Sequence, residues 1–272
     1  MSLFGSLRQL LGSRPPAPRP AIPAGERVYA IGDIHGRADL FAALIAAVEA
    51  DDARHQAASP AQTTIILLGD LIDRGPDSAG VVRMARQWQE RRRVRILAGN
   101  HEEMLLQSLT SIDVLRVFLR AGGRETAISY GIDPKAYTQA SFEEVQAMLC
   151  AAFPPEDEAF MASFEEQIRI GDYSFVHAGI KPGVPLAEQQ RGDLRWIREP
   201  FLSSSTDHGA VVVHGHTIFE DVSLRPNRIG IDTGAYDSGK LTAIGLEGTD
   251  RWLIQTSSDE GAITANPHQI PE

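Results

Sequence analysis

The chain becomes patterned near Glu26, where a strand-like apolar run, RVYAIGD, ends at Asp33. Leu40, Phe41, Leu44, Ile45 and Val48 then recur at the spacing of a helix's buried stripe. A second strand, TTIILLGD, ends at Asp70; its apolar run is unbroken, as expected of a strand covered on both faces. Val81, Val82, Ala85 and Trp88 mark the next helix. VRILAGN forms a third strand ending at Asn100, and more helix follows from Glu102. Strands alternating with helices signal a mostly parallel sheet. Each strand runs into Gly-Asp or Gly-Asn, at the carboxyl end where such sheets carry their function.

Residues 112–164 read as helices broken at Gly122-Gly123, Asp133-Pro134 and Pro154-Pro155. This insert carries no chemical motif and is a candidate cap. The later chain turns β-rich. QIRIG-DYSFVHAG reads as a hairpin turning at Gly171-Asp172, and AVVVHGH, RIGID, LTAIGLE and RWLIQT as further strands. The expectation is an α/β fold of two stacked mixed sheets with helices outside.

One domain is expected over residues 26–256. An N-terminal arm, residues 1–25, precedes it. There Leu3, Phe4, Leu7, Leu10 and Leu11 recur at helical spacing, and Arg14 to Pro23 is a proline-rich extended segment outside the core. The polar tail, residues 257–272, reads as loosely held.

A formal net charge of −10 argues against nucleic acid as the main partner. It leaves a phosphorylated substrate open, because bound cations and a few arginines can make one cleft locally positive. No apolar run is long enough to span a membrane. The N-terminus, without a continuous apolar stretch or a small-residue cleavage site, does not read as a secretory signal, and the lone Cys150 allows no internal disulfide. A cytoplasmic location fits these features. Cys150 sits in an apolar helical run and reads as a core residue; Asp51-Asp52 and Arg91 to Arg93 read as solvated charge runs.

The chemistry concentrates in GDIHG (Gly32 to Gly36), GDLIDRG (Gly69 to Gly75), GNHE (Gly99 to Glu102), HAG (His177 to Gly179) and HGH (His214 to His216). A lone Gly-Asp after a strand is a turn aspartate more often than a ligand. The conjunction of these segments changes that balance. Aspartate oxygens and imidazole nitrogens without thiolate suit Mn²⁺, Fe or Zn²⁺. Asp33 and His35 stand two apart in one turn and can face one ion. Asp70 could bridge two ions, with Asn100, His177 and His214 closing the second. Two ions about 3.5–4 Å apart lower the pKa of a shared water and hold both ends of an in-line displacement.

The set closely resembles the PPP-type metallophosphatases. These comprise the serine/threonine protein phosphatases, their bacterial and phage relatives, and the symmetrical diadenosine tetraphosphate hydrolases. The resemblance runs from about Val28 to Ile244 and implies a calcineurin-like metallophosphoesterase fold. It implies two divalent ions, Mn²⁺ first and Fe or Zn²⁺ next, held by Asp33, His35, Asp70, Asn100, His177 and His214. A hydroxide bridging them would attack phosphorus. His101 then looks like the general acid, oriented by Asp73, and Arg74 like a phosphate clamp beside Asn100 and His101. DLRWIREP resembles the segment that supplies a second phosphate-binding arginine; Arg198 is the choice and Arg195 the competitor.

The expected reaction is hydrolysis of a phosphomonoester, with phosphoserine or phosphothreonine on proteins as first substrate class. A symmetrical bis(5'-nucleosyl)-tetraphosphatase is the alternative, and a catalytically silent phosphate-binding scaffold the second. His216 reads either as a hydrogen-bonding neighbour of the ligands or as turn packing. Asp232 in IDTG reads as a strand-end cap, and His55 as solvated. The sequence leaves the oligomeric state open.

Overall fold

Side-chain alternation along the first strands sets the layers. In β1 (Glu26–Ile31), Tyr29 and Ile31 face one way and Val28 and Ala30 the other, and all four are fully buried. The same split recurs in β2 (Gln62–Leu67), where Ile65 and Leu67 oppose Ile66. One face packs on Leu40, Phe41, Leu44 and Val48 of α1 (Ala38–Ala58) and on Val81, Val82, Ala85 and Trp88 of α2 (Ser78–Gln89). The other meets Phe175, Val211, Val213 and Ile229 of a second sheet. Each fully buried aliphatic or aromatic side chain contributes about 1.5–3 kcal/mol of transfer free energy.

The computed structural model describes residues 19–259 and 262–269. Its further strands are β3 (Val94–Ile96), β4 (Ile168–Ile170), β5 (Tyr173–Phe175), β6 (Val211–His214), β7 (Ser223–Leu224), β8 (Arg228–Gly230), β9 (Thr242–Glu247), β10 (Asp250–Asp259) and β11 (Ala262–Gln269). A six-stranded sheet runs β11-β10-β9-β1-β2-β3, and a five-stranded sheet runs β4-β5-β6-β8-β7. Pairing is parallel for β1 with β2, β2 with β3, β5 with β6 and β6 with β8, and antiparallel elsewhere. The two stacked mixed sheets expected from the sequence are therefore present, including the β4–β5 hairpin at Gly171. The remaining helices are α3 (Asn100–Ser108), α4 (Ile112–Phe118), α5 (Arg124–Ser129), α6 (Pro134–Gln139), α7 (Phe142–Ala152), α8 (Pro155–Ala162), α9 (Arg191–Trp196) and α10 (Ala235–Ser238). No helix among the described residues is long and apolar enough to cross a membrane.

Several expectations change. Far from loose, residues 262–269 pair with β10 at the sheet edge. Ile263 and Ala265 turn onto the helical core while Thr264 and Asn266 face outward, so a polar composition hides a period-two strand. Pro267 is tolerated there because an edge strand has N–H groups to spare. The proline-rich segment is not wholly outside the core: Ile22 is buried and its N–H donates to Gly248 O at 2.8 Å. The predicted helix around Leu3 to Leu11 lies outside the described residues.

Asp51 and Asp52 are buried, not solvated. Asp51 accepts from Tyr29 Oη at 2.7 Å and Trp252 Nε1 at 2.8 Å, and Asp52 from Arg27 and Arg92. Arg92 of the basic run thus serves the interior. His55 stacks on Trp252, and Cys150 is exposed.

Candidate metal centre and active site

The parallel strands bring their carboxyl ends to one edge, and the predicted side chains gather there. Asp33 lies just beyond β1, Asp70 beyond β2, Asn100 at the start of α3 beyond β3, and His177 beyond β5. Each is at most 4% exposed.

Asp70 is the centre. Its Oδ2 lies 3.6 Å from His35 Nε2 and 3.8 Å from His101 Nε2, and its Oδ1 lies 3.4 Å from His177 Nε2. His35 Nδ1 donates to Ile72 O and His177 Nδ1 to Leu68 O, both at 2.7 Å, which turns each Nε2 toward Asp70. Asn100 Oδ1 sits 3.0 Å from His177 Nε2 and 2.8 Å from His216 Nδ1. The Asp33 carboxylate accepts the His216 backbone N–H at 3.0 and 3.1 Å. Gly215 permits this approach, since a Cβ there would stand 2.0 Å from Asp33 Oδ1.

The structure does not bring His214, named among the ligands from the sequence, into this cluster. As the last residue of β6 it points between Phe201 and Phe219, donates from Nδ1 to Gly215 O at 3.0 Å, and turns Nε2 to Arg228. His216, two residues on and past the strand, takes the place beside Asp70 and His177. A two-residue step keeps the same side in a regular strand, but His216 lies in the turn with φ +62°.

On the other side, His101 Nδ1 donates to Asp73 Oδ2 at 2.6 Å, and Thr126 Oγ1 donates to Asp73 Oδ1 at 2.5 Å. Arg74 places Nη1 2.9 Å from His35 Nε2 and Nη2 3.1 Å from His101 Nε2, with its guanidinium over the Tyr236 ring. Thr126, Tyr236 and Glu102 carried no sequence prediction. Glu102 is buried and accepts from the N–H groups of Gly99, Asp70 and Leu71 at 2.8–3.0 Å, tying the Asp70 turn to the start of α3. At the third helical position, Glu102 reaches back to the N–H of Gly99 in the manner of half a capping box; glycine has no side chain to return the bond. Asp232 caps its strand end, accepting from Gly234 N at 2.9 Å.

Arg195 is engaged away from the cluster by Glu166, at 3.0 and 2.6 Å, and lies 3.7 Å from Glu103. Arg198 instead directs Nη2 to His216 O at 3.5 Å. Trp196, between them, donates from Nε1 to Glu103 Oε2 at 2.7 Å.

Among the described residues, the only non-glycine residues with left-handed backbone are His35, Asp70, Asp73, Arg74 and His216. Such conformations cost on the order of 1–3 kcal/mol each and persist where the surroundings enforce them.

The donor set fits metal. Burial pushes His35 and His216 down to about 3, so both remain neutral with a lone pair to offer. Burial and their mutual repulsion raise Asp33, and burial raises Asp232, beside Asp70. Around Asn100 Oδ1, His177 Nε2, His216 Nδ1 and the Asp70 carboxylate converge, a donor set that could hold a divalent cation. His216 Nε2 is buried without a hydrogen-bond partner. Burial acts downward on His101, but Asp70 and Asp73 outweigh it and hold that imidazole above its ordinary range.

Comparison with known proteins gives the family. The model of the calcineurin-like phosphoesterase family matches residues 26–241, and the chain belongs to that family. Serine/threonine-protein phosphatase 1 of Salmonella typhimurium is 30% identical over 79% of this chain and 89% of its own. A symmetrical bis(5'-nucleosyl)-tetraphosphatase of Nitrosospira multiformis is 24% identical over 87% of this chain and 98% of its own. The crystal structure of a candidate diadenosine tetraphosphatase shares the fold, with TM-score 0.59 and 21% identity, covering 92% and 98% of the two chains. The chain is thus a metallophosphoesterase with PPP-type relatives, a hydrolase using divalent metal.

Proposed function

We propose that the chain hydrolyses phosphomonoesters, with phosphoserine and phosphothreonine proteins as the preferred substrates. The observation that carries the chemistry is the His101–Asp73 pair facing the Asp70 cluster, with Arg74 between His101 and His35. Asp33, His35 and Asp70 would hold one ion, and Asp70, Asn100, His177 and His216 the other, with Mn²⁺ the first candidate. Bound there, two divalent ions supply Lewis-acid charge stabilisation and an activated water.

The protein's own groups do the rest. Arg74 and Arg198 flank the cluster as fork-shaped donors and would hold phosphate oxygens. His101 commits Nδ1–H to Asp73, so only Nε2 can carry the proton that the leaving oxygen needs. Burial of Asp73 and His101 strengthens the bond between them. Preference for protein substrates is supported by the 30% identical protein phosphatase relative.

The full-length tetraphosphatase relatives favour a second reading, cleavage of a phosphoanhydride in a dinucleoside tetraphosphate. Parallel assays of the Mn²⁺-loaded protein on phosphoserine peptides and diadenosine tetraphosphate separate the two. Efficient release of ADP with phosphopeptides untouched would overturn the first reading.

A further inference from the structure

We propose that Thr126 is a positioning residue for the general acid, through which the helical insert controls proton delivery to the leaving group. It rests on the reading of His101 as that acid. The bonds around Asp73 carry the inference. Asp73 is fully buried, and its carboxylate has one named donor at each oxygen, His101 Nδ1 and Thr126 Oγ1. The Thr126 oxygen also accepts the Asp73 backbone N–H at 2.9 Å, and that backbone stands at φ +74°. One hydroxyl therefore clamps both the main chain and the side chain of the residue that aims His101. Ser78 shares the task, taking the same N–H at 3.0 Å and lying 2.9 Å from Thr126 Oγ1, but makes no bond to the carboxylate.

Without the Thr126 hydroxyl, Asp73 Oδ1 would be a buried acceptor lacking a donor, and the carboxylate would be free to rotate. His101 would then lose its fixed direction while every metal-facing group stayed in place. The neighbouring chain works in the same sense. Gly122 O accepts the Arg74 N–H at 3.1 Å. Gly122 lies in the wide turn Leu119–Gly123 with φ +114°, and a Cβ there would stand 2.7 Å from Arg74 Cγ. The insert thus grips Asp73 and Arg74, two consecutive left-handed residues, from one short stretch of chain.

A positioning role acts only where the leaving oxygen needs a proton. The test is steady-state kinetics of the Mn²⁺-loaded full chain on p-nitrophenyl phosphate, whose leaving group departs as a stable anion, and on an alkyl ester, O-phosphoserine. Thr126→Val should lower kcat about tenfold on the alkyl ester, the scale of loss for an orienting group, and leave the p-nitrophenyl rate and the bound metal near wild type. Thr126→Ser, which keeps both bonds, should restore the alkyl rate. Thr126→Ala carries the same expectation as valine should the latter fold poorly. Equal losses on both esters, or none, would overturn the proposal. His101→Asn is the control: a loss confined to the alkyl ester upholds the acid, whereas a uniform loss removes that reading and the role of Thr126 with it.

Discussion

The indole Nε1 of Trp196 donates to Glu103 at 2.7 Å, joining the segment that carries Arg198 to the helix that carries Asn100 and His101. Glu103 thereby anchors the chain two residues before Arg198, whose Nη2 reaches His216 O. Glu103→Ala should raise KM for a phosphomonoester, and the inhibition constant of inorganic phosphate, by about three- to tenfold, the cost of roughly 1 kcal/mol for one hydrogen bond. The change in kcat should be smaller. A fall in kcat with both constants unchanged would show that the contact serves another purpose.

The two histidines of HGH should separate cleanly. His216→Ala removes a nitrogen from the set around Asn100 and should cost one ion of affinity and at least about a hundredfold in turnover. His214→Gln alters a ring held between Phe201 and Phe219 and should leave the metal titration near wild type, its effect falling on stability. Isothermal titration of the metal-free variants with Mn²⁺ reads this directly. The reverse ranking would restore His214 as the ligand.

Asp51 anchors an interior polar junction, not an exposed face. Asp51→Ala would leave Tyr29 Oη and Trp252 Nε1 buried without their acceptor. Stability should fall by about 2–4 kcal/mol, the summed cost of two such groups. Urea unfolding of the metal-free chain checks this apart from any metal effect, and a loss below about 1 kcal/mol would mean that water replaces the acceptor.

The sequence was most legible where one local rule decides. Strands ending in Gly-Asp and Gly-Asn announced the parallel sheet and the side chains gathered at its edge, because burial on both faces leaves an unbroken apolar run. It was least legible where the partner is distant in the chain. Thr126 is an ordinary helical threonine until α5 is laid against Asp73. Asp51 and Asp52 resemble a solvated pair until Tyr29, Trp252 and Arg27 are brought to them. His214 and His216 are alike in type and spacing, and only the point at which β6 yields to a left-handed turn tells them apart. The polar strand β11 shows the same limit, since alternation is faint when only one face is half covered.

Hydrolysis should depend on two divalent ions centred on Asp70. Metal-free protein titrated with Mn²⁺, with bound metal and p-nitrophenyl phosphate turnover followed together, tests it most directly. Turnover should be absent without metal and should rise to a plateau at two ions per chain, and Asp70→Asn should stay inactive throughout. Turnover by the metal-free chain, or undiminished turnover by Asp70→Asn, would contradict the account.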